Sequence, residues 1–158
     1  MRKNKTKNKR RNDMEIKYYA TENAVKFAEP GAFEPMIKQA EAMIEDSGFK
    51  DNGCANALVV MTATGNTFGA VTEDGRMEDG YCACADKVLE QLKDSRDTEV
   101  KRIVCLWDGG PLDISSFYFR EKLCSLNESN KNAEILLEDA DGGYFIIKVA
   151  RTFGKKRK

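Results

Sequence analysis

The chain has 158 residues, which is the size of a single domain with one hydrophobic core. Its hydrophobic content of 41% is ordinary for a folded protein, and no run approaches the roughly 20 apolar residues that a membrane-spanning helix needs. Basic and acidic residues, 26 of each, give a formal net charge of zero. The chain has no histidine, which excludes catalytic His pairs and every metal site that needs imidazole.

The zero net charge conceals two basic ends around an acidic body. Residues 1–12 carry seven Lys or Arg and no acid, and 155–158 are all basic. The other 15 basic and 26 acidic side chains give residues 13–154 a net charge of −11. Basic runs of this kind bury too little surface to fold. We predict three parts along the chain: a disordered basic tail at 1–13, one domain at 14–153 and a basic tail at 154–158. The tails fit either a weak contact with nucleic acid or simple solvation, and the acidic body opposes phosphate binding.

An odd number of cysteines predicts reduced thiols rather than a disulfide framework. The five are Cys54, Cys82, Cys84, Cys105 and Cys124. The basic N-terminus is not followed by the apolar stretch of a signal peptide. We therefore expect a cytoplasmic protein that does not associate with a membrane.

The first half of the body predicts a helix followed by a hairpin. Apolar residues recur at helical spacing from Glu34-Pro35 until Gly48. An apolar, β-branched run at 57–64 is followed by Gly65-Asn66, a turn signal, and a second strand at 67–71.

The second half predicts alternating helices and strands. Helices are predicted at 84–93 and 113–127, and strands at 101–107, 133–137 and 144–150. Each strand-helix-strand crossover should be right-handed and place its two strands parallel, whereas the tight turn before the last strand makes that strand antiparallel. The order α-β-β-α-β-α-β-β predicts an α/β fold, a three-layer α-β-α sandwich around a mixed five-stranded sheet.

This order of elements resembles the cytidine deaminase superfamily over residues 33–153. The resemblance rests on three segments: 64–73 (TGNTFGAVTE), Cys82-Ala83 and 111–115 (PLDIS). The family has a strand ending in Gly-x-Asn-x-Glu, a helix starting with Cys-Ala-Glu and a helix starting with Pro-Cys-x-x-Cys. It implies a zinc ion held at two helix N-termini, a glutamate that shuttles the proton, a nucleoside pocket and subunit contacts that favour a homo-oligomer.

Residue by residue, the resemblance is incomplete. Two registers are open for the first zinc helix. In one, Cys82 is the ligand and Cys84 takes the place of the glutamate; in the other, Cys84-Ala85-Asp86 matches Cys-Ala-Glu, with Asp86 as a shorter carboxylate. In either register the two thiols of the second helix correspond to Leu112 and Ser115, which do not form a zinc site. The family asparagine corresponds to Val71.

These departures favour an inactive relative that acts as a binding or assembly module, without zinc. A vestigial cleft for a nucleoside-like ligand would be lined by Glu73, Val71, Cys82, Trp107 and Pro111. An altered hydrolase is the first alternative, with Cys84 and Asp86 as the candidate catalytic residues, and a nucleic-acid-associated protein that uses its basic tails is the second.

Overall fold

The computed structural model describes residues 25–48, 55–73 and 83–153. Within these ranges the structure has six strands: β1 (Lys26–Phe27), β2 (Asn56–Thr62), β3 (Thr67–Thr72), β4 (Val100–Trp107), β5 (Glu134–Glu138) and β6 (Tyr144–Lys148). The α-helices of the same ranges are α1 (Glu34–Ser47), α2 (Ala83–Ser95) and α3 (Phe117–Leu126). Short 3-10 turns lie at Gly31–Phe33, Glu128–Asn132 and Val149–Phe153.

The strands form one mixed sheet in the order β1-β6-β5-β4-β2-β3. β2 runs antiparallel to both neighbours, β4 runs parallel to β5, and β5 and β6 form an antiparallel pair. The predicted mixed sheet and the antiparallel final pair are confirmed. The count of five strands is wrong, because Lys26 and Phe27 pair with β6 and add a sixth. A two-residue strand has no hydrophobic alternation that could signal it.

Helices cover both faces of the sheet, which confirms the three-layer sandwich. On one face, Met36 and Ile44 of α1 pack in a buried cluster with Val59 of the sheet. On the other face, Leu92 of α2 and Phe119 of α3 belong to a second buried cluster. Since both faces are covered, the central strands are apolar on both sides.

The predicted ends of α1 are confirmed, but the start of α3 is wrong by four residues. α1 has Pro35 in its first turn and ends at Gly48, whose φ of 83° lies in the left-handed region that glycine favours. α3 begins at Phe117 rather than at 113, because Ser116 caps the helix with its hydroxyl. The backbone N–H of Asp113 is already bonded to the carbonyl of Cys105 in β4, 2.9 Å away.

Two predicted strands run past their observed ends. β2 stops at Thr62 rather than 64, because the N–H of Thr62 donates to the carbonyl of Asn66 and closes the hairpin turn. β6 stops at Lys148 rather than 150, because the chain turns there into the 3-10 segment Val149–Phe153. Side-chain pattern alone does not locate either end.

The predicted basic tails at 1–13 and 154–158 lie outside the described residues, as do Cys54, Cys82 and the predicted loop from 74 onward. In the part of the chain that the structure describes, no helix combines the length and the apolar character needed to cross a bilayer.

Asn130 is a buried side chain that ties three elements together. Its Oδ1 accepts from the N–H of Val100 at the start of β4, 2.7 Å away. Its Nδ2 donates to the carbonyls of Thr98 and of Leu123 in α3, each at 3.0 Å. The amide therefore satisfies backbone groups that would otherwise be buried without a partner.

We expect Asn130→Ala to lower the free energy of unfolding by about 1–3 kcal/mol, because the buried N–H of Val100 loses its acceptor. Urea denaturation followed by circular dichroism measures this. Asn132→Ala, in the same 3-10 turn but at an exposed position, is the matched control and should change stability little. Equal effects of the two substitutions would contradict the assigned role of Asn130.

Asp97 collects three donors at the hairpin end of the sheet. The hydroxyls of Thr64 and Thr62 and the side-chain amide of Asn66 all donate to its Oδ2, at 2.6, 2.7 and 2.8 Å. These hydrogen bonds, that from Thr64 foremost, lower the pKa of Asp97 below its usual value. The folded chain thus stabilises the charged form of the Asp97 carboxylate relative to the unfolded chain.

Because the pKa is lowered on folding, the contribution of Asp97 to stability is fully present above the pKa of an unfolded-state carboxyl. It is lost as the pH falls through the folded-state pKa. We expect the difference in melting temperature between the wild type and Asp97→Ala to be constant near neutral pH and to shrink in acid. The exposed Asp94→Ala serves as the control. A difference that grows as the pH falls would show that the sign is wrong.

Candidate functional site

A buried polar contact joins the first turn of α2 to the sheet. The Cys84 thiol lies 3.5 Å from Oδ1 of Asn56, the first residue of β2. The Nδ2 of Asn56 is 3.2 Å from the Cys105 sulfur and donates to the carbonyl of Leu106 at 3.1 Å. One amide therefore connects a thiol of the helix to a thiol and a carbonyl of β4.

Cys84 lies in the core rather than at a surface. Its side chain is completely inaccessible to solvent, and Cys105 is buried with it. A thiol at a helix N-terminus becomes a nucleophile when it is ionised and accessible, and this one is enclosed. Cys124, the other free thiol of the described residues, is partly buried, and that burial raises its pKa, with Lys131 and Arg120 acting in the opposite direction.

Asp86, the alternative candidate for the family glutamate, lies on a different side of α2. It is exposed, and its Oδ1 accepts a hydrogen bond from the Tyr118 hydroxyl of α3 at 2.6 Å. Residues two apart on a helix point in different directions, so the burial of Cys84 directs Asp86 outward. The structure does not bring Asp86 to the Cys84–Asn56 contact.

The segment before α3 is fixed against the sheet by backbone and carboxylate contacts. Leu112 forms an isolated bridge with Leu106 of β4, and its N–H donates to Oε1 of buried Glu138 at 2.8 Å. The Leu112 side chain is only 1% exposed and packs in the core cluster on the α1 face. Leu112, which the resemblance matches to the first family thiol, is therefore a core aliphatic side chain.

Ser115 and Ser116 precede α3 and differ in their partners. Ser116 accepts from the N–H of Phe119 at 3.1 Å and caps the helix. Ser115 is 2% exposed, and its hydroxyl has no hydrogen-bond partner among the described residues. A buried hydroxyl without a partner costs free energy, and such groups are found where a ligand or water completes the site.

Arg120 holds this segment from the other side. Its guanidinium is buried, and Nε donates to the carbonyls of Ser115 and Ser116 at 3.0 and 3.3 Å. Its Nη1 donates to the carbonyl of Thr152 in the last 3-10 turn, at 3.1 Å. The start of α3 is thus bound to the end of the described chain.

The residues predicted to line a cleft are only partly brought together. Trp107 is buried at the end of β4 and pairs in register with Asn56, and Pro111 is buried in the segment that follows. Val71 packs on the α1 face of the sheet instead, on the opposite side from Cys84. Glu73 is exposed just beyond β3, and Cys82 lies outside the described residues.

Sequence reasoning missed Asn56, Glu138 and Arg120. Asn56 and Glu138 had a weak signal, because each is a polar residue at the end of an otherwise apolar strand. Arg120 had no such signal in the sequence, since an arginine within a helix is ordinarily a surface residue. The partner of Glu138 lies 26 residues away in the chain, and the partners of Asn56 lie 28 to 50 residues away.

The donors present do not fit a zinc centre of the deaminase type. Within the described ranges, no group of three Cys, Asp or Glu side chains is placed to hold a metal ion. Leu112 offers no donor atom, and a neutral serine hydroxyl such as that of Ser115 is a poor zinc ligand. The absence of zinc remains a prediction.

Comparisons with known proteins show the fold. Neither protein-family models nor curated protein sequences give a match. Among solved structures, the chain is similar to the crystal structure of cytidine deaminase from Mycobacterium leprae. The TM-score is 0.55 at 13% identity, over 75% of this chain and 93% of that one. A cytidine deaminase from Burkholderia pseudomallei gives a TM-score of 0.46 at 15% identity, over 71% and 94%. The chain therefore has a cytidine deaminase-like α/β fold.

Ser115→Ala and Ser116→Ala should have different effects on stability. Removing the Ser115 hydroxyl removes an unsatisfied group, so we expect the free energy of unfolding to stay the same or rise. Removing the Ser116 cap should cost about 1 kcal/mol. Urea denaturation of both variants measures the difference. A destabilised Ser115→Ala would mean that its hydroxyl has a partner in the folded chain.

Proposed function

We propose that this chain is a cytidine deaminase-fold protein that does not carry out zinc-dependent deamination and acts as a binding module. The observation that carries the proposal is the start of α3, where a buried Leu112 and a neutral Ser115 stand at the two positions of the family thiols. In this proposal the chain has the cytidine deaminase fold without the zinc-dependent deamination.

Hydrolytic deamination needs a metal-bound water and a carboxylate that moves its proton. A catalytic zinc ion is held by three protein ligands, and the open position takes the water. With two of the three positions changed, a single thiol would be left to hold the metal, Cys82 in the first register or Cys84 in the second. One thiolate does not make a site that keeps zinc at the trace concentrations found in a cell.

The carboxylate position is altered in both possible registers. In the first register Cys84 replaces the glutamate, and the structure buries that thiol against Asn56. In the second register Asp86 replaces it, and its carboxylate accepts from Tyr118 outside the core. A buried thiol and a carboxylate that already accepts a hydrogen bond from Tyr118 are both poor replacements for a glutamate that must exchange a proton with substrate.

A buried polar group just before α3 supports the binding role. The Ser115 hydroxyl is buried without a partner among the described residues, so a ligand with a hydroxyl or amino group would satisfy it. Trp107 ends β4, and the carbonyl of Cys105 in this strand accepts from the N–H of Asp113 in the segment that carries Ser115. A nucleoside-like molecule offers both an apolar ring and polar groups, and it is the ligand class that we propose.

Assembly is the other part of the proposed module. Phe117 of α3 is 49% exposed and contacts Phe153 edge to face, with ring centroids 5.7 Å apart. An exposed aromatic side chain on α3 agrees with the homo-oligomer that the family resemblance implies. The nucleic-acid contact through the basic tails remains a separate proposal.

Two measurements on the full chain test the loss of catalysis. Protein purified after growth with added zinc should contain far less than one zinc ion per chain by elemental analysis. Incubation with cytidine should yield no uridine by chromatography. One zinc ion per chain together with uridine formation would contradict the loss of catalysis.

The binding part is tested by thermal shift with cytidine, because a ligand of the native state raises the melting temperature by mass action. We expect a rise for the wild type and a smaller one for Ser115→Ala. Ser116→Ala is the control for position, since its hydroxyl already serves the helix cap. No shift at millimolar cytidine would contradict binding and leave the loss of catalysis standing.

A further inference from the structure

A groove runs along the outer side of the two helices that share one face of the sheet. Its volume is about 610 Å³, and residues of α2 and α3 line it. The groove extends along both helices. At one end, the Asp86–Tyr118 hydrogen bond joins the first turns of α2 and α3. At the other end, Lys93 and Leu126 line the groove in the last turns of the two helices. The site at the start of α3 lies inside the core, so this groove is a different surface.

The groove is lined by three ammonium groups that have no carboxylate partner among the described residues. Lys87 and Lys93 of α2 and Lys122 of α3 line it and are exposed. Within the described residues, none of the three forms an ion pair. Lys122 lies over the Tyr118 ring, 5.7 Å from its centroid. By contrast, Lys38 on α1 is paired with Glu34 across one helical turn at 3.8 Å.

The remaining lining provides acceptors and an apolar floor. Glu90 lies on α2 between the two lysines and is exposed. Asp86 holds the Tyr118 hydroxyl at one end of the groove. Leu89 is buried and forms part of the floor. Cations beside carboxylates suit a ligand that carries both an anionic group and hydroxyl groups.

We propose that the α2–α3 groove binds a small phosphorylated molecule that also bears hydroxyl groups, such as a sugar phosphate or a nucleoside monophosphate. The groove has the volume of a small-ligand site, which is about 300–1,000 Å³. Lysine ammonium groups bind phosphate oxygens through charge-assisted hydrogen bonds. The carboxylate of Glu90 accepts from hydroxyl groups, and the net charge of −11 on residues 13–154 disfavours an extended polyanion such as RNA.

The proposal does not depend on the proposed function, because neither Leu112 nor Ser115, on which that function rests, lines the groove. Isothermal titration of the full chain at low salt, with ribose 5-phosphate and with CMP as probes, tests it. Ribose and cytidine are the unphosphorylated controls. Lys87→Gln, Lys93→Gln and Lys122→Gln remove single ammonium groups, and Lys38→Gln, on the opposite layer, is the matched control.

We expect the phosphorylated probes to bind and ribose not to bind. Each groove substitution should weaken binding about tenfold, and Lys38→Gln should leave it unchanged. Added salt should weaken binding of the wild type. Tighter binding of CMP than of ribose 5-phosphate would identify a nucleotide, and the reverse a sugar phosphate.

Three results would overturn the proposal. The first is no binding of either phosphorylated probe at millimolar concentration. The second is binding that the groove variants retain in full while their folds, checked by circular dichroism, are intact. The third is equal affinity for CMP and cytidine, which would place the ligand at the Ser115 site rather than in the groove.

Discussion

The amide of Asn56 is the central polar contact on the face of the sheet that α2 and α3 cover. It belongs to the first residue of β2, is enclosed where the start of α2 meets the end of β4, and bonds to groups of α2 and β4. A buried amide must have its donors and acceptors satisfied, so it adds a polar constraint to the rotation of α2 that the buried apolar stripe of the helix sets. With that rotation set, Cys84 points into the core and Asp86 points out.

This rotation separates the two surfaces that the fold offers. The interior side of the first turn of α2 faces β4 and carries no accessible nucleophile among the described residues. The exterior side, with Asp86 and the lysines that follow it, forms one wall of the groove. One helix thus contributes an apolar stripe with a single thiol to the core and a charged stripe to solvent.

The start of α3 is fixed by a second set of buried polar contacts. Glu138 receives the N–H of Leu112, and Arg120 donates to the carbonyls of Ser115 and Ser116. These contacts satisfy a segment that is neither helix nor strand and is nevertheless buried. They also leave the Leu112 side chain to fill the core on the α1 face. An aliphatic residue there is a packing element of the sandwich.

The sequence by itself determined the layers, the order of elements from α1 onward and the chemical nature of the residues at 112 and 115. Hydrophobic periodicity, turn residues and donor type are local properties, and each can be read without knowing any partner. The tertiary structure alone decided the sixth strand, the late start of α3 and the orientation of Cys84, Asp86 and Val71. Each of these depends on strand register or on a partner far away in the chain, such as β6 for β1 or Asn56 for Cys84. A periodic pattern shows that one face of an element is buried, but it does not show which neighbouring element buries that face.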